Sequence, residues 1–349
     1  MSSPNDTAAF SGVVDLAAAA LGGHVVASSD EFFAEAENLL RPERAVFIPG
    51  KFTERGKWMD GWESRRKRGA GHDWCVVALG APGEVLGFDV DTQHFVGNHP
   101  PFASVDGIWA PGPRGDQAAL PADGWIELLQ QAPLRPGAQN LFAAQPQGPV
   151  THVRLNIFPD GGVARFRVFG RARPDWEAPV TLDPETSRHL APELRDHLRD
   201  LGAVKNGGLA LACSDAFFGP MNNLLLPGRP DDMGGGWETR RRRGPGHDWI
   251  LIKLGARGVP ALVEVDTCHF KGNFPDRCAL EALDAPAGTR ITDLLVASTW
   301  RPLVAEAKLG AHARHFFTIG DPAPATHVRL NIFPDGGIAR LRVWGRRDA

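Results

Sequence analysis

Twelve residues, Thr-His-Val-Arg-Leu-Asn-Ile-Phe-Pro-Asp-Gly-Gly, occur twice without a change, at 151–162 and at 326–337. The same offset of 175 carries 61–74 onto 236–249, 89–100 onto 264–275 and 163–171 onto 338–346, and 37 of these 47 positions are identical. Such self-similarity marks a tandem duplication, so the fold must be one that about half of the 349 residues can complete. Two domains are expected, 1–175 and 176–349. Upstream, Ser29-Asp30-x-Phe32-Phe33 matches Ser214-Asp215-x-Phe217-Phe218 at an offset of 185, so the second copy is about ten residues shorter. The difference falls within 43–60, which carries Lys51, Glu54, Arg55, Lys57 and Asp60, whereas the second copy has only Gly-Arg-Pro-Asp-Asp-Met-Gly-Gly at 228–235. The first copy is therefore expected to hold the larger share of the chemistry. A stretch rich in proline and charge, 173–199, joins the copies, and a short helix is expected over 187–201.

Within each copy the period is two. Val153, Leu155 and Ile157 alternate with His152, Arg154 and Asn156, which describes a half-buried strand. Pro159-Asp160-Gly161-Gly162 reads as a turn and 164–169 alternates again, so a hairpin is expected. Segments 74–79 and 85–90 predict two further short strands around the glycines at 80 and 83. Each half reads as an antiparallel β-sandwich.

Composition narrows the function. Lys plus Arg number 38 against 41 Asp plus Glu, a net charge of -3, which argues against a nucleic-acid groove despite the four cations Arg65, Arg66, Lys67 and Arg68. No run of 18 apolar residues predicts a membrane span. Met1 to Asp6 carry no basic leader, so no signal peptide is expected. Cys75, Cys213, Cys268 and Cys278 lack C-x-x-C spacing, and a reducing cytoplasm is the expected setting. The chain has no G-x-S-x-G and no P-loop, which leaves out covalent serine catalysis and nucleotide hydrolysis.

Three polar sets remain. His152, Arg154 and Asn156 share one strand face, Arg165 and Arg167 another, and together they would suit a carboxylate and neighbouring carbonyls, or else form a solvated outer face. Asp89 and Asp91 share a side of a strand, with His94 beyond; two such carboxylates raise one another's pKa, or they fasten the Gly97-Asn98 turn through backbone bonds. Glu63, His72 and Asp73 can move protons while Arg65 or Arg66 grips an anion, or these charges pair structurally.

Residues 56–66, Gly-Lys-Trp-Met-Asp-Gly-Trp-Glu-Ser-Arg-Arg, with Gly71-His72-Asp73-Trp74, Asp89-Val-Asp91-Thr92, Phe95-x-Gly97-Asn98 and 154–162, resemble the allantoicase family over essentially the whole chain. The resemblance implies an all-β fold, a tandem duplication of a jelly-roll (galactose-binding-like) β-sandwich. It also implies hydrolysis of allantoate to ureidoglycolate and urea in purine breakdown. Allantoate carries a carboxylate and two ureido groups, and loss of urea needs an acid at the departing nitrogen and a base for water. Glu63, His72, Asp91 and His94 have suitable groups for that catalysis, and Lys57, Arg65, Arg66, Asn98, His152 and Arg154 for binding. Their second-copy equivalents are Glu238, Arg240, His247, Asp266, His269 and Arg329. No cofactor is expected, since Asp-x-x-His alone is a weak metal signature. The expected partner is the small substrate, without nucleic acid or membrane, in a homo-oligomer. A non-enzymatic carbohydrate-binding or small-ligand-binding β-sandwich is the alternative, but these repeats keep Arg, His and Asp rather than exposed aromatic platforms.

Overall fold

In the computed structural model, which describes residues 12–112 and 120–348, the alternating segments 74–79 and 85–90 form one strand of 19 residues, Asp73–Asp91. The residues from Met1 to Asp6, read above for a leader, lie outside the described residues. Gly80 and Gly83 do not end the strand; they let other backbone approach it. A Cβ on Gly80 would lie 2.7 Å from the Leu21 carbonyl, and one on Gly83 2.4 Å from that of Arg171. Only glycine fits such contacts. The first half of the strand pairs antiparallel with Val150–Phe158 and His24–Ser28, and the second half with Arg165–Ala172 and Leu141–Ala143. One strand thus serves both layers of a jelly-roll sandwich.

The expected hairpin does not form. Val150–Phe158 pairs with Phe102–Ile108 on its other edge, while Arg165–Ala172 pairs with Val14–Asp15. Between them Gly162–Val163 pairs with Trp62–Glu63, so the chain leaves the first layer before its next long strand begins. His152 and Arg154 are therefore not gathered with Arg165 and Arg167. The core lies between the layers, where Val77, Phe88, Val90, Val153, Leu155, Phe166 and Val168 are fully buried. Phe88 and Phe166 stack with centroids 6.0 Å apart. Truncating either ring to Ala would cost about 3–5 kcal/mol.

The chain divides into two compact units, Met1–Pro174 and Asp175–Ala349. The second repeats the plan: Asp248–Asp266 spans 19 residues, pairing with Ala325–Phe333 and Leu209–Cys213 in its first half, and with Arg340–Arg347 and Arg314–Thr318 in its second. The helix expected over 187–201 is replaced by two short pieces. A five-residue α-helix, Pro184–Arg188, begins at Asp183, whose carboxylate accepts from the Glu185 and Thr186 amides, and a 3-10 turn, Pro192–His197, follows. Proline at 192 lacks the amide a continuous helix would need there.

Candidate functional site

In the first copy the turn after Val150–Phe158 assembles a cleft. Gly162 sits opposite Glu63 in the short strand pair, its amide donates to the Asn98 carbonyl (2.8 Å), and the Phe95 ring covers it so closely that a Cβ would lie 2.0 Å from ring carbons. Glu63 and Asn98 are thereby brought together: Asn98 Nδ2 donates to Glu63 Oε1 at 2.7 Å. The Phe33 amide donates to the Glu63 carbonyl, which adds that ring to the wall. Residues 43–60 supply the rest. A small ladder, Phe52–Thr53 with Gly56–Lys57, delivers Lys57, whose Nζ stands 4.6 Å from the centre of the Phe47 ring. His94, in a left-handed conformation (φ 70°), donates from Nε2 to the Ala45 carbonyl at 3.1 Å. In the neutral ring that bond places the proton on Nε2 and the lone pair on Nδ1. Lys57, Glu63, His94 and Asn98 together line a cleft of about 630 Å³ with Phe33 and Phe47. Burial pushes the Glu63 carboxyl up, against the pull of the Asn98 amide and the Lys57 charge.

Asp91 is not among the residues lining this cleft. It is buried and accepts from the Gln93 amide (2.8 Å), while Thr92 Oγ1 donates to the Arg135 carbonyl (2.6 Å), so these side chains fasten the turn. Burial raises its pKa against the Gln93 bond and three arginines. Asp89, which accepts from Gln139 Nε2 (2.7 Å), is pushed up to about 6, mainly by burial, with the Asp91 charge adding to it.

His72, His152 and Arg154 lie elsewhere in this copy. His72 Nε2 donates to Asn156 Oδ1 at 3.3 Å and its ring lies 4.5 Å from that of Phe158. Asn156 Nδ2 donates to Asp106 Oδ2 (2.9 Å), as does Arg154 Nη2 (2.8 Å), and Arg154 lies over the Trp125 ring. His152 is buried beside Thr151 Oγ1 (2.9 Å). This network is internally neutralised. Arg65 is committed to Asp30 through Nε and Nη2, both at 2.7 Å, and Arg66 is exposed.

The second copy keeps part of this. Asn273 Nδ2 donates to Glu238 Oε1 (2.5 Å), His269 (φ 68°) donates to the Pro230 carbonyl (3.0 Å), and Arg240 pairs with Asp215. His247 bonds Asn331, and Arg329 pairs with Glu281 under Trp300. Asp232 stands where Lys57 would, and Asp266 is held by both Arg229 Nε (2.8 Å) and Nη2 (3.1 Å). Cys268, His269 and His312 offer ligand atoms within 4.8 Å of one another, a grouping that sequence spacing does not reveal because His312 is distant in the chain. The sequence reading also missed Phe33 and Phe47. The repeated Phe-Phe pair was the available signal for the first, and nothing local marked the second.

The comparisons agree with this architecture. The family described as Allantoicase repeat matches residues 14–173 and 199–348. A probable allantoicase 1 from Burkholderia mallei is 45% identical over 100% of this chain and 98% of its own length, and a probable allantoicase from Pseudomonas paraeruginosa is 47% identical over 98% of each. The crystal structure of allantoicase from Saccharomyces cerevisiae superposes with a TM-score of 0.81 at 36% identity, covering 99% of this chain and 98% of that one. Two family repeats, full-length relatives and a shared duplicated jelly roll lead to one conclusion: this chain belongs to the allantoicase family.

Proposed function

We propose that this protein is an allantoicase hydrolase that converts allantoate and water to ureidoglycolate and urea, and that the first-copy cleft is where it does so. The carrying observation is the meeting there of a carboxyl with a raised pKa, an imidazole of fixed tautomer, an ammonium and an amide. In the reaction the bond from the central carbon to one ureido nitrogen breaks, and the water oxygen takes its place. Glu63, kept protonated to higher pH by burial, gives its proton to the departing nitrogen, and His94 Nδ1 takes one from the attacking water. Lys57 holds the substrate carboxylate as a point charge. Asn98 donates to Glu63, which leaves its Oδ1 to accept a ureido N–H.

Arg65 and Arg66 would serve only as outer contacts in this reading, and His72, His152, Arg154 and Asp91 as supports of the fold around the site. It calls for no cofactor. The four cysteines are free, which supports a cytoplasmic setting, and among the described residues no helix is long and apolar enough to cross a membrane. The exposed Phe217 and Phe218 support a homo-oligomer. Incubation with allantoate should release urea, and allantoin and arginine should not. Absence of urea at high enzyme concentration, with and without added divalent metal, would overturn the reading.

A further inference from the structure

Arg165 and Arg340 occupy the same place in the two copies, and their surroundings differ in one carboxylate and one carbonyl. Arg165 donates from Nε to the Glu43 carbonyl (2.8 Å), from Nη1 to the Asp60 (3.2 Å) and Ala164 (2.7 Å) carbonyls, and from Nη2 to Asp60 Oδ2 (2.8 Å). Arg340 keeps the first three bonds, to the carbonyls of Gly228 (3.0 Å), Gly235 (2.6 Å) and Ala339 (2.7 Å), and adds that of Asn223 (3.1 Å). The carboxylate is missing, because Gly235 stands at the position of Asp60.

Arg340 is only 5% exposed, and a buried cation without an anion is costly. Burial, with the neighbouring Arg342 charge, pulls its pKa down to about 10 against the opposing charge of Asp266. Nearby carboxylates are engaged elsewhere: Asp266 with Arg229, Glu264 with Arg314 (2.7 Å) and Asp200 with Arg342 (3.5 Å). Among the described residues none forms an ion pair with Arg340. A cleft of about 580 Å³ reaches this arginine; Arg229, Arg314 and Arg342 also line it, each beside carboxylates it pairs with, Asp266, then Glu264 and Asp183, then Asp200.

We propose that this second-copy cleft binds a small carboxylate, whose oxygens stand beside Arg340 where the Asp60 side chain stands beside Arg165. The ligand class follows from the group that is absent: planar, singly charged and matched to a guanidinium edge. The proposal does not depend on where allantoate reacts.

Calorimetry with acetate, against chloride at equal ionic strength, on full-length protein carrying Lys57→Met to silence the first-copy cleft, is expected to give one site. Arg340→Met, which keeps the apolar stem, should weaken binding at least about tenfold. Should that variant not fold, Asp60→Ala opens the same vacancy at Arg165, and the stoichiometry should rise from one to two. The aryl bromide 4-bromobenzoate, which thiols and imidazoles do not displace, needs no variant when soaked into crystals, and its bromine should mark a molecule bonded to the Arg340 guanidinium. No acetate binding by the Lys57→Met protein, unchanged binding when a folded Arg340→Met is combined with it, or bromine sited only elsewhere would overturn the proposal. Tighter binding of inorganic phosphate than of acetate would overturn the carboxylate assignment.

Discussion

Asp89 and Glu264 hold the same position in the two copies, yet one faces a neutral amide and the other a guanidinium. Gln139 donates to Asp89, whereas Arg314, at the matching position, donates to Glu264 and also to Asp183 and Glu185. The acid in the first copy has only neutral hydrogen-bond donors and the more distant Arg167 charge against its burial, with its pKa at about 6, whereas Glu264 is paired directly with Arg314. The same contrast runs through the clefts. Residues 43–60 give the first copy Lys57 and Phe47 around Glu63 and His94, and the shorter loop gives the second neither. A duplicate can keep its fold while each copy leaves a different buried charge without an ion pair, a carboxyl in the first and Arg340 in the second.

The sharpest way to break this comparison is activity. Glu63→Gln should lower kcat by about 100-fold or more, the scale of a lost proton donor, while Glu238→Gln should leave it within about twofold. Equal losses would move the chemistry to a shared or second-copy site, and steady-state assays of urea release separate the cases. His94→Ala and His269→Ala should divide in the same way.

Stability comes next. Arg314→Gln leaves Glu264 buried without its cation and should cost about 3–5 kcal/mol in denaturant melts. Asp183, which the Arg314 guanidinium holds well below the usual carboxylate range, should then titrate closer to normal. A loss under 1 kcal/mol would show that the second copy is not held by this network.

A smaller and pH-dependent effect is expected at Asp89. Its folded pKa is raised, so folding carries no penalty below the unfolded value near 4, and the full penalty above about 6. Wild-type stability should therefore fall as pH rises through that window. Asp89→Asn, whose amide Gln139 can match by turning its own, should stabilise the protein by about 2–3 kcal/mol at pH 7.5 and by almost nothing at pH 3.5. A gain independent of pH would contradict the assignment.

The smallest effect tests where the copies agree. Arg65→Ala and Arg240→Ala remove exposed pairs with Asp30 and Asp215, and each should cost no more than about 1 kcal/mol. A large difference between them would expose an asymmetry in the shared loop.

The duplication, the strand period and the turn at 159–162 were legible because each is written in neighbouring residues. The hairpin was misread for the same reason: local alternation says that 164–169 is a strand, but not that Gly162–Val163 first pairs with Trp62–Glu63. Of the site, Glu63 and Asn98 were identifiable by residue type, and their contact was not, since it spans 35 residues and depends on Phe95 closing over Gly162. His94 stood beyond the two carboxylates, and its spacing did not say where its ring would point. Its left-handed backbone turns its ring toward Ala45. Asp106 under Arg154 carried no sequence signal, because a carboxylate 48 residues away is matched to its arginine only by strand register.

The strands Asp73–Asp91 and Asp248–Asp266 belong to both layers of their sandwiches, and this bears on how each unit opens. In a sandwich whose strands each belong to one layer, either layer can detach while the other persists. Here, freeing one layer strips hydrogen bonds from a backbone whose remaining half still anchors the other. Amide hydrogens in the doubly paired part of these strands, such as those of Val77 and Ile252, should therefore exchange only through opening of the whole unit, while those of Phe52–Thr53 and Gly56–Lys57 exchange through local opening. The wall of the cleft can then breathe to admit a ligand without loosening the frame that aims Glu63.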